Sequence, residues 1–295
     1  MEYNSTEKIR KEFGKGDKVR DAGLTTPADV KRYDNIPYGE HGVWNLLDIY
    51  HEKDAKEKQP AIIIIHGGGW VYGTKEVYQF YGMGLAQRGF TVVNFNYRLA
   101  PEDPFPAMIE DINQLFVWVS EHAAAYKIDL GNLFVVGDSA GAQLASQYIA
   151  MLTNQAFSSL YDFQVPSDAI RIKAMALNCG IYDMRKCVKN SEQGDHIQAY
   201  FGEITEEKLE LVNTMRYITD KFPPAFIMTS HCDFLKENAK PMLEFLTEKG
   251  IHSELKIYGS RERKDIAHVF HINMRLDESV QCNDDECNFF RKYIS

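Results

Sequence analysis

The stretch that most constrains this chain is Leu133-Phe134-Val135-Val136-Gly137-Asp138-Ser139-Ala140-Gly141. The apolar run Leu133 to Val136 reads as a buried strand, and Gln143 to Ala150 follows at once with a helical pattern. Between them Gly-Asp-Ser-Ala-Gly matches Gly-x-Ser-x-Gly, a sharp strand-to-helix turn that pushes the serine hydroxyl out at its tip. Glycine is needed there because a side chain would collide with neighbouring backbone. The pattern alone is short. Its place between a strand and a helix gives it weight, because the mechanism requires that context. The plain alternative is an ordinary turn carrying a surface serine.

The rest of the chain alternates strand and helix. Val43–Tyr50 reads as a strand, followed by a charged turn of the hairpin type over His51–Gln59. Ala61-Ile62-Ile63-Ile64-Ile65 is a β-branched run of the kind buried on both faces of a sheet. Helices are expected at Val77–Arg88, Ala107–Ala125, Asn238–Lys249 and Asp284–Tyr293. Further strands are expected at Phe90–Phe95, Ile172–Cys179, Ala225–Ser230 and Ser253–Tyr258. This alternation implies an α/β fold, a mostly parallel central sheet with helices on both faces. Residues 1–35, polar and helix-prone, and 183–220, aromatic-spotted without a clear strand, break the pattern. Both are candidates for material laid over the carboxyl ends of the strands, where open α/β sheets bind ligands.

Composition narrows the partners. The 295 residues, 44% hydrophobic and 25% charged, suffice for one large domain, taken here as 1–295. A net charge of −9 disfavours nucleic acid and anionic membranes. The N-terminus shows no apolar segment of a signal peptide, and the Ala61–Ile65 run is too short to span a bilayer. Five cysteines do not make a disulfide scaffold, and zinc at Cys282 and Cys287 lacks a second ligand pair. A reduced, cytoplasmic protein is the expectation, with no metal and no cofactor. A homodimer is left open.

A serine hydroxyl needs a base to take its proton, the base needs a carboxylate to orient it, and the oxyanion needs preplaced N–H donors. Downstream of Ser139, Asp233 sits just past the strand Ala225–Ser230. It could equally cap the following helix. His268 follows the strand Ser253–Tyr258 and a charged loop. It is preferred to His271 because it lies nearer the loop and Phe270 stands two residues on to pack under it. Asp265 is a weaker rival acid, too close to the histidine's own loop. Upstream, His66-Gly67-Gly68-Gly69-Trp70 follows the isoleucine run. Three glycines let backbone N–H groups turn toward a ligand. No Lys-Ser/Thr pair follows them directly, so a phosphate loop is disfavoured. With the Ala140 N–H, this loop is a credible oxyanion hole.

Together, His66–Trp70, Tyr97-Arg98-Leu99-Ala100-Pro101-Glu102, Phe105-Pro106-Ala107, Gly137–Gly141, Asp233 and His268 resemble the hormone-sensitive-lipase-like carboxylesterases of the α/β-hydrolase superfamily. The resemblance covers roughly residues 40–275 and implies the α/β-hydrolase fold with a helical cap from 1–35 and 183–220. It implies Ser139 as nucleophile, His268 as base, Asp233 as its orienter and Gly68, Gly69 and Ala140 as oxyanion donors. It gives His66, Asp138 and Tyr97–Glu102 supporting roles. The implied reaction is hydrolysis of a small-molecule ester, with short acyl chains and no cofactor, through an acyl-enzyme. The chain departs from the pattern at Ala142 and Val269, where glycine is common, and after Asp233, where a second Asp is common. The same triad serves an amidase, peptidase, arylformamidase or carbohydrate deacetylase. A hydrolase fold kept as a binding module is the reading from another class.

Overall fold

The computed structural model describes residues 4–189 and 195–295. In chain order its elements are α1 (Asn4–Asp21), β1 (Val30–Pro37), β2 (Leu46–Glu52), β3 (Gln59–Ile65), α2 (Lys75–Ala86), β4 (Thr91–Phe95), α3 (Ala107–His122) and β5 (Ile128–Asp138). Then come α4 (Ala140–Thr153), α5 (Gln155–Ser158), β6 (Ile172–Asn178), α6 (Met184–Lys189), α7 (His196–Phe201), α8 (Glu206–Leu211) and α9 (Thr214–Tyr217). The chain closes with β7 (Ala225–Ser230), α10 (Ala239–Glu248), β8 (Ser253–Tyr258) and α11 (Asp277–Arg291).

The strands form one eight-stranded sheet in the order β1-β2-β4-β3-β5-β6-β7-β8. From β4 to β8 neighbours run parallel, and β1 and β2 are antiparallel at one edge. The isoleucine run shows why the centre is double-sided. Ile63 and Ile65 point into a core with Val93, Val135 and Leu177, covered by α3, α4 and α10. Ile62 and Ile64 point the other way, with Val92, Val136 and Phe226, under α2 and α11. All four isoleucines are at most 1% exposed, which stabilises the sheet by about 1.5–3 kcal/mol for each side chain.

The expected α/β-hydrolase sheet is present, with corrections at its edges. Residues 51–59 do not close a hairpin: β2 pairs with β4, so the segment carries the chain past β4 to the inner strand β3. A charged linker with turn residues looks the same in sequence whether the next strand pairs beside it or two places away. Residues 1–35 are not wholly a helical arm, because Val30–Pro37 forms β1 and pairs with β2. Its mostly exposed, charged face hid the strand alternation. Residues 42–45 form a 3-10 turn, so the first strand after β1 starts at Leu46 rather than Val43. The last helix begins at Asp277, two turns before the expected Asp284, because its polar first turns carry few apolar contacts.

Residues 183–220 are helical without a strand among the described residues, as the sequence suggested. The parts of the two expected cap segments at 1–3 and 190–194 lie outside the described residues. Asp195 joins the segments. Its carboxylate accepts hydrogen bonds from the Ser5 and Thr6 N–H groups at the start of α1 and from the Ser5 hydroxyl. The Ser5 Oγ in turn accepts from the Asp195 N–H at 2.9 Å. The free N–H groups at a helix start need such acceptors. Further along α1, Arg10 donates to the carbonyls of Val71 and Ala100 and pairs with Glu102.

Candidate active site

β5 delivers Ser139 at the carboxyl edge of the sheet. The residue has φ 54° and ψ −120°, a strained conformation for a side chain bearing a Cβ. Two features hold it there. The Ser139 N–H donates to Asn178 O at the end of β6 at 2.9 Å. At Gly141 any Cβ would stand 2.1 Å from Ile65 O, so the helix start packs on β3 as only glycine allows. The start of α4 then aims its unpaired N–H groups and its positive dipole end toward the serine.

Asp233 lies past β7 and His268 past β8, and the structure brings both to Ser139. His268 Nε2 is 2.9 Å from Ser139 Oγ, and His268 Nδ1 is 2.7 Å from Asp233 Oδ1. Asp233 Oδ1 also accepts from the Leu235 N–H at 2.9 Å, and Oδ2 accepts from the Thr229 hydroxyl at 2.7 Å. Burial pushes the Asp233 carboxyl upward, but the His268 bond and these two donors outweigh it and hold the group below the usual carboxylate range. The alternative role for Asp233 is half realised. It caps a local turn at Leu235, while Asn238 precedes α10.

The rivals fall away on geometry. His271 is fully buried, both ring nitrogens lack a partner among the described residues, and burial pushes its pKa down to about 3. Asp265 is exposed and pairs with Arg263. The aromatic expected beneath His268 is not Phe270, which packs on Tyr258 in the core. Phe234 takes that place, its ring centroid 4.2 Å from the imidazole, although it is 73% exposed. Val269 adopts φ 51°, the left-handed region, which accounts for the glycine common at that position and strains this β-branched residue.

The glycine loop faces the serine from β3. Gly68 has φ 119°, and a Cβ there would meet Tyr72 O at 2.0 Å. Among the described residues the N–H groups of Gly68, Gly69 and Ala140 have no hydrogen-bond acceptor, as donors awaiting an oxyanion would. His66 does no visible chemistry. It is fully buried, its Nδ1 lies 2.8 Å from Gly67 O, and its ring stacks on Tyr97 at 4.1 Å. Burial drives its pKa down to about 4, which keeps it neutral. The Tyr97 hydroxyl donates to His66 O at 2.6 Å. Asp138 ties the loop to the serine turn. Its Oδ1 accepts from the Gly67 N–H at 3.1 Å and its Oδ2 accepts from the Tyr78 hydroxyl at 2.7 Å. Burial pushes the Asp138 carboxyl up to about 6 against these donors.

Above Ser139 opens a cavity of about 660 Å³, within the range of small-molecule sites. Ile9, Phe13 and Gly16 of α1 form one wall, and His196 and Ile197 of α7 another. Sequence reasoning did not single out Tyr78, Thr229, Phe234, His196 or Cys179. Each is an ordinary residue type at an unremarked spacing, and only folding brings it to the site. Cys282 and Cys287, considered for zinc, are both buried in α11 beneath the sheet. Among the described residues, one group has metal-ligand proximity, Cys179 with Asp233 and His268.

The sequence pattern of the BD-FAE family matches residues 47–240 of this chain. The probable isoprenylcysteine alpha-carbonyl methylesterase ICME of Oryza sativa subsp. japonica is 29% identical over 167 residues, 57% of this chain and 40% of that protein. Esterase LipQ of Mycobacterium tuberculosis is 28% identical over 230 residues, 76% of this chain and 51% of that protein. The chain thus spans about half the length, or less, of these two relatives. The solved structure of esterase B from Lactobacillus rhamnosis superposes with a TM-score of 0.89 at 22% identity, covering 98% of this chain and 96% of that one. The similarity drawn from the motifs to the hormone-sensitive-lipase-like carboxylesterases is borne out by these relatives and by the fold. The chain belongs to the BD-FAE family and has the fold of the α/β-hydrolase superfamily.

Proposed function

We propose that this protein is a serine hydrolase of small-molecule carboxylic esters with short acyl chains. The observation that carries this reading is the continuous line Ser139 Oγ, His268 Nε2, His268 Nδ1, Asp233 Oδ1, with steps of 2.9 and 2.7 Å. Esterase and carboxylesterase names among the relatives support it.

In this reading His268 takes the Ser139 proton as Oγ attacks the ester carbonyl. Asp233 holds the Nδ1–H tautomer and stabilises the imidazolium. The oxyanion receives hydrogen bonds from the N–H groups of Gly68, Gly69 and Ala140. His268 then protonates the departing alkoxide, and water attacks the acyl-enzyme by the same route. Helix α1 and the helical stretch within 183–220 act as the cap of a single domain, closing the acyl end of the cavity.

The test is hydrolysis of p-nitrophenyl acetate, butyrate, octanoate and laurate beside Ser139→Ala. Turnover of the short esters that disappears in the variant supports the reading. A folded protein inactive on every ester, or a variant that keeps its rate, overturns it.

A further inference from the structure

Cys179 is a buried nucleophilic side chain that the proposed reaction does not use. It follows β6 directly at φ 49°, a left-handed conformation that a cysteine adopts only under constraint. It is 1% exposed. Its Sγ, one carboxylate oxygen of Asp233 and one ring nitrogen of His268 all lie within 4.8 Å of one another. Beside them the Tyr182 hydroxyl is buried without a partner among the described residues. The thiol faces the Met228 thioether at 4.0 Å, a weak acceptor, and the Asp233 carboxylate.

We propose that Cys179, Asp233 and His268 form an inhibitory binding site for a thiophilic divalent cation of the zinc class. Thiolate, imidazole and carboxylate are the donor types that zinc takes, and three protein ligands leave a fourth position open. Bond lengths to such an ion place its ligand atoms about 3.4–3.6 Å apart in a tetrahedron. Cys179 Sγ therefore moves inward, and the 2.7 Å contact between His268 Nδ1 and Asp233 Oδ1 opens by less than an ångström. A thiolate and a carboxylate supply two negative charges for a dication, so the site is neutral when filled.

The step balances simply. The Cys179 S–H bond breaks, its proton leaves to solvent, and a sulfur–metal bond forms. No oxidant or reductant takes part. Burial and then the Asp233 charge raise the thiol pKa well above its usual value, so the proton is held tightly in the empty site. Binding must expel that proton. The bound ion occupies His268 Nδ1 and removes the base from its orienting carboxylate. The inhibitory consequence rests on the esterase reading; the binding does not.

The experiment titrates the full-length protein with Co²⁺ as a spectroscopic probe, then with Zn²⁺, and follows p-nitrophenyl acetate hydrolysis in parallel. The expected result is a thiolate-to-cobalt charge-transfer band that saturates at one equivalent and is displaced by zinc. Cys232→Ala keeps the band, although that thiol is the more exposed and sits beside His231. Cys179→Ala and the nearly isosteric Cys179→Ser lose it while retaining a cooperative melt. Zinc slows ester turnover, EDTA restores it, and the Cys179 variants need at least ~10-fold more zinc for the same inhibition. A band that survives both Cys179 variants, one that vanishes in Cys232→Ala, or no band at all overturns the proposal. A protein that shows the band but hydrolyses no ester retains the site and loses the esterase reading instead.

Discussion

Asp233 shows how much of this site depends on single hydrogen bonds. Its Oδ1 faces the His268 Nδ1–H and also accepts from the Leu235 N–H, and its Oδ2 accepts from the Thr229 hydroxyl. Asp233→Asn presents an amide N–H to Nδ1 and favours the wrong tautomer. Its kcat on p-nitrophenyl acetate is expected to fall on the order of 10³–10⁴-fold, with the melting temperature changed little, read by steady-state kinetics and calorimetry. Glu286 is a different buried carboxylate. It is fully buried, accepts from the Tyr81 hydroxyl and the Asn178 amide at 2.7 Å each, and burial pushes it up to about 7. A carboxyl raised in the folded state binds its proton more tightly there. Its contribution to stability is therefore full below about pH 4.5 and is lost as pH rises through about 7. Each pKa unit is worth about 1.4 kcal/mol, so the loss is on the order of 3 kcal/mol. Glu286→Gln cannot ionise. The stability of the variant relative to the parent, from denaturant melts, should climb between pH 5 and pH 8; a difference independent of pH would contradict the assignment.

At the scale of elements, β5 and α4 act as one device, because the serine conformation needs the strand, the turn and the helix start together. This device was legible in sequence, since strand, motif and helix are contiguous. The N-terminal segment was a candidate for material over the site, but which residues of α1 would line the cavity was not legible. Phe13 lines the cavity, packs edge-on against Tyr72 at 5.8 Å and is 47% exposed. A lone aromatic on a polar helix gives no sequence signal for such a position. Its exposure makes truncation cheap for folding. Phe13→Ala is expected to shift the ratio of octanoate to acetate turnover several-fold while leaving the acetate rate and the melting temperature nearly unchanged. A uniform fall for all esters would assign α1 a structural role instead. The missed edge strand β1 has a similar cause. It buries only part of one face, so its alternation is interrupted by charges that solvent tolerates.

For the whole molecule, charge sets which substrates approach. The net charge is −9, and the described cavity wall carries Glu12 and Asp17 but no Lys or Arg. An ester bearing a free carboxylate should show kcat/KM on the order of tenfold below that of a neutral ester of equal size. The gap should narrow as salt rises from about 0.01 M to about 1 M, where the screening length falls from about 30 to about 3 Å. The sequence by itself determined the fold class, because strand and helix periodicities and a contiguous turn motif are local properties of the chain. It also determined which serine, acid and histidine to consider, because each follows a strand and the carboxyl ends of parallel strands share one edge. Tertiary structure alone decided that β3 crosses to the far side of β4, since pairing order is set by long-range packing rather than by linker composition. It likewise decided that Phe234 rather than Phe270 packs on His268, and that Cys179 lies beside Asp233 and His268. Those contacts join residues more than thirty positions apart, and no local pattern encodes a distance of that kind.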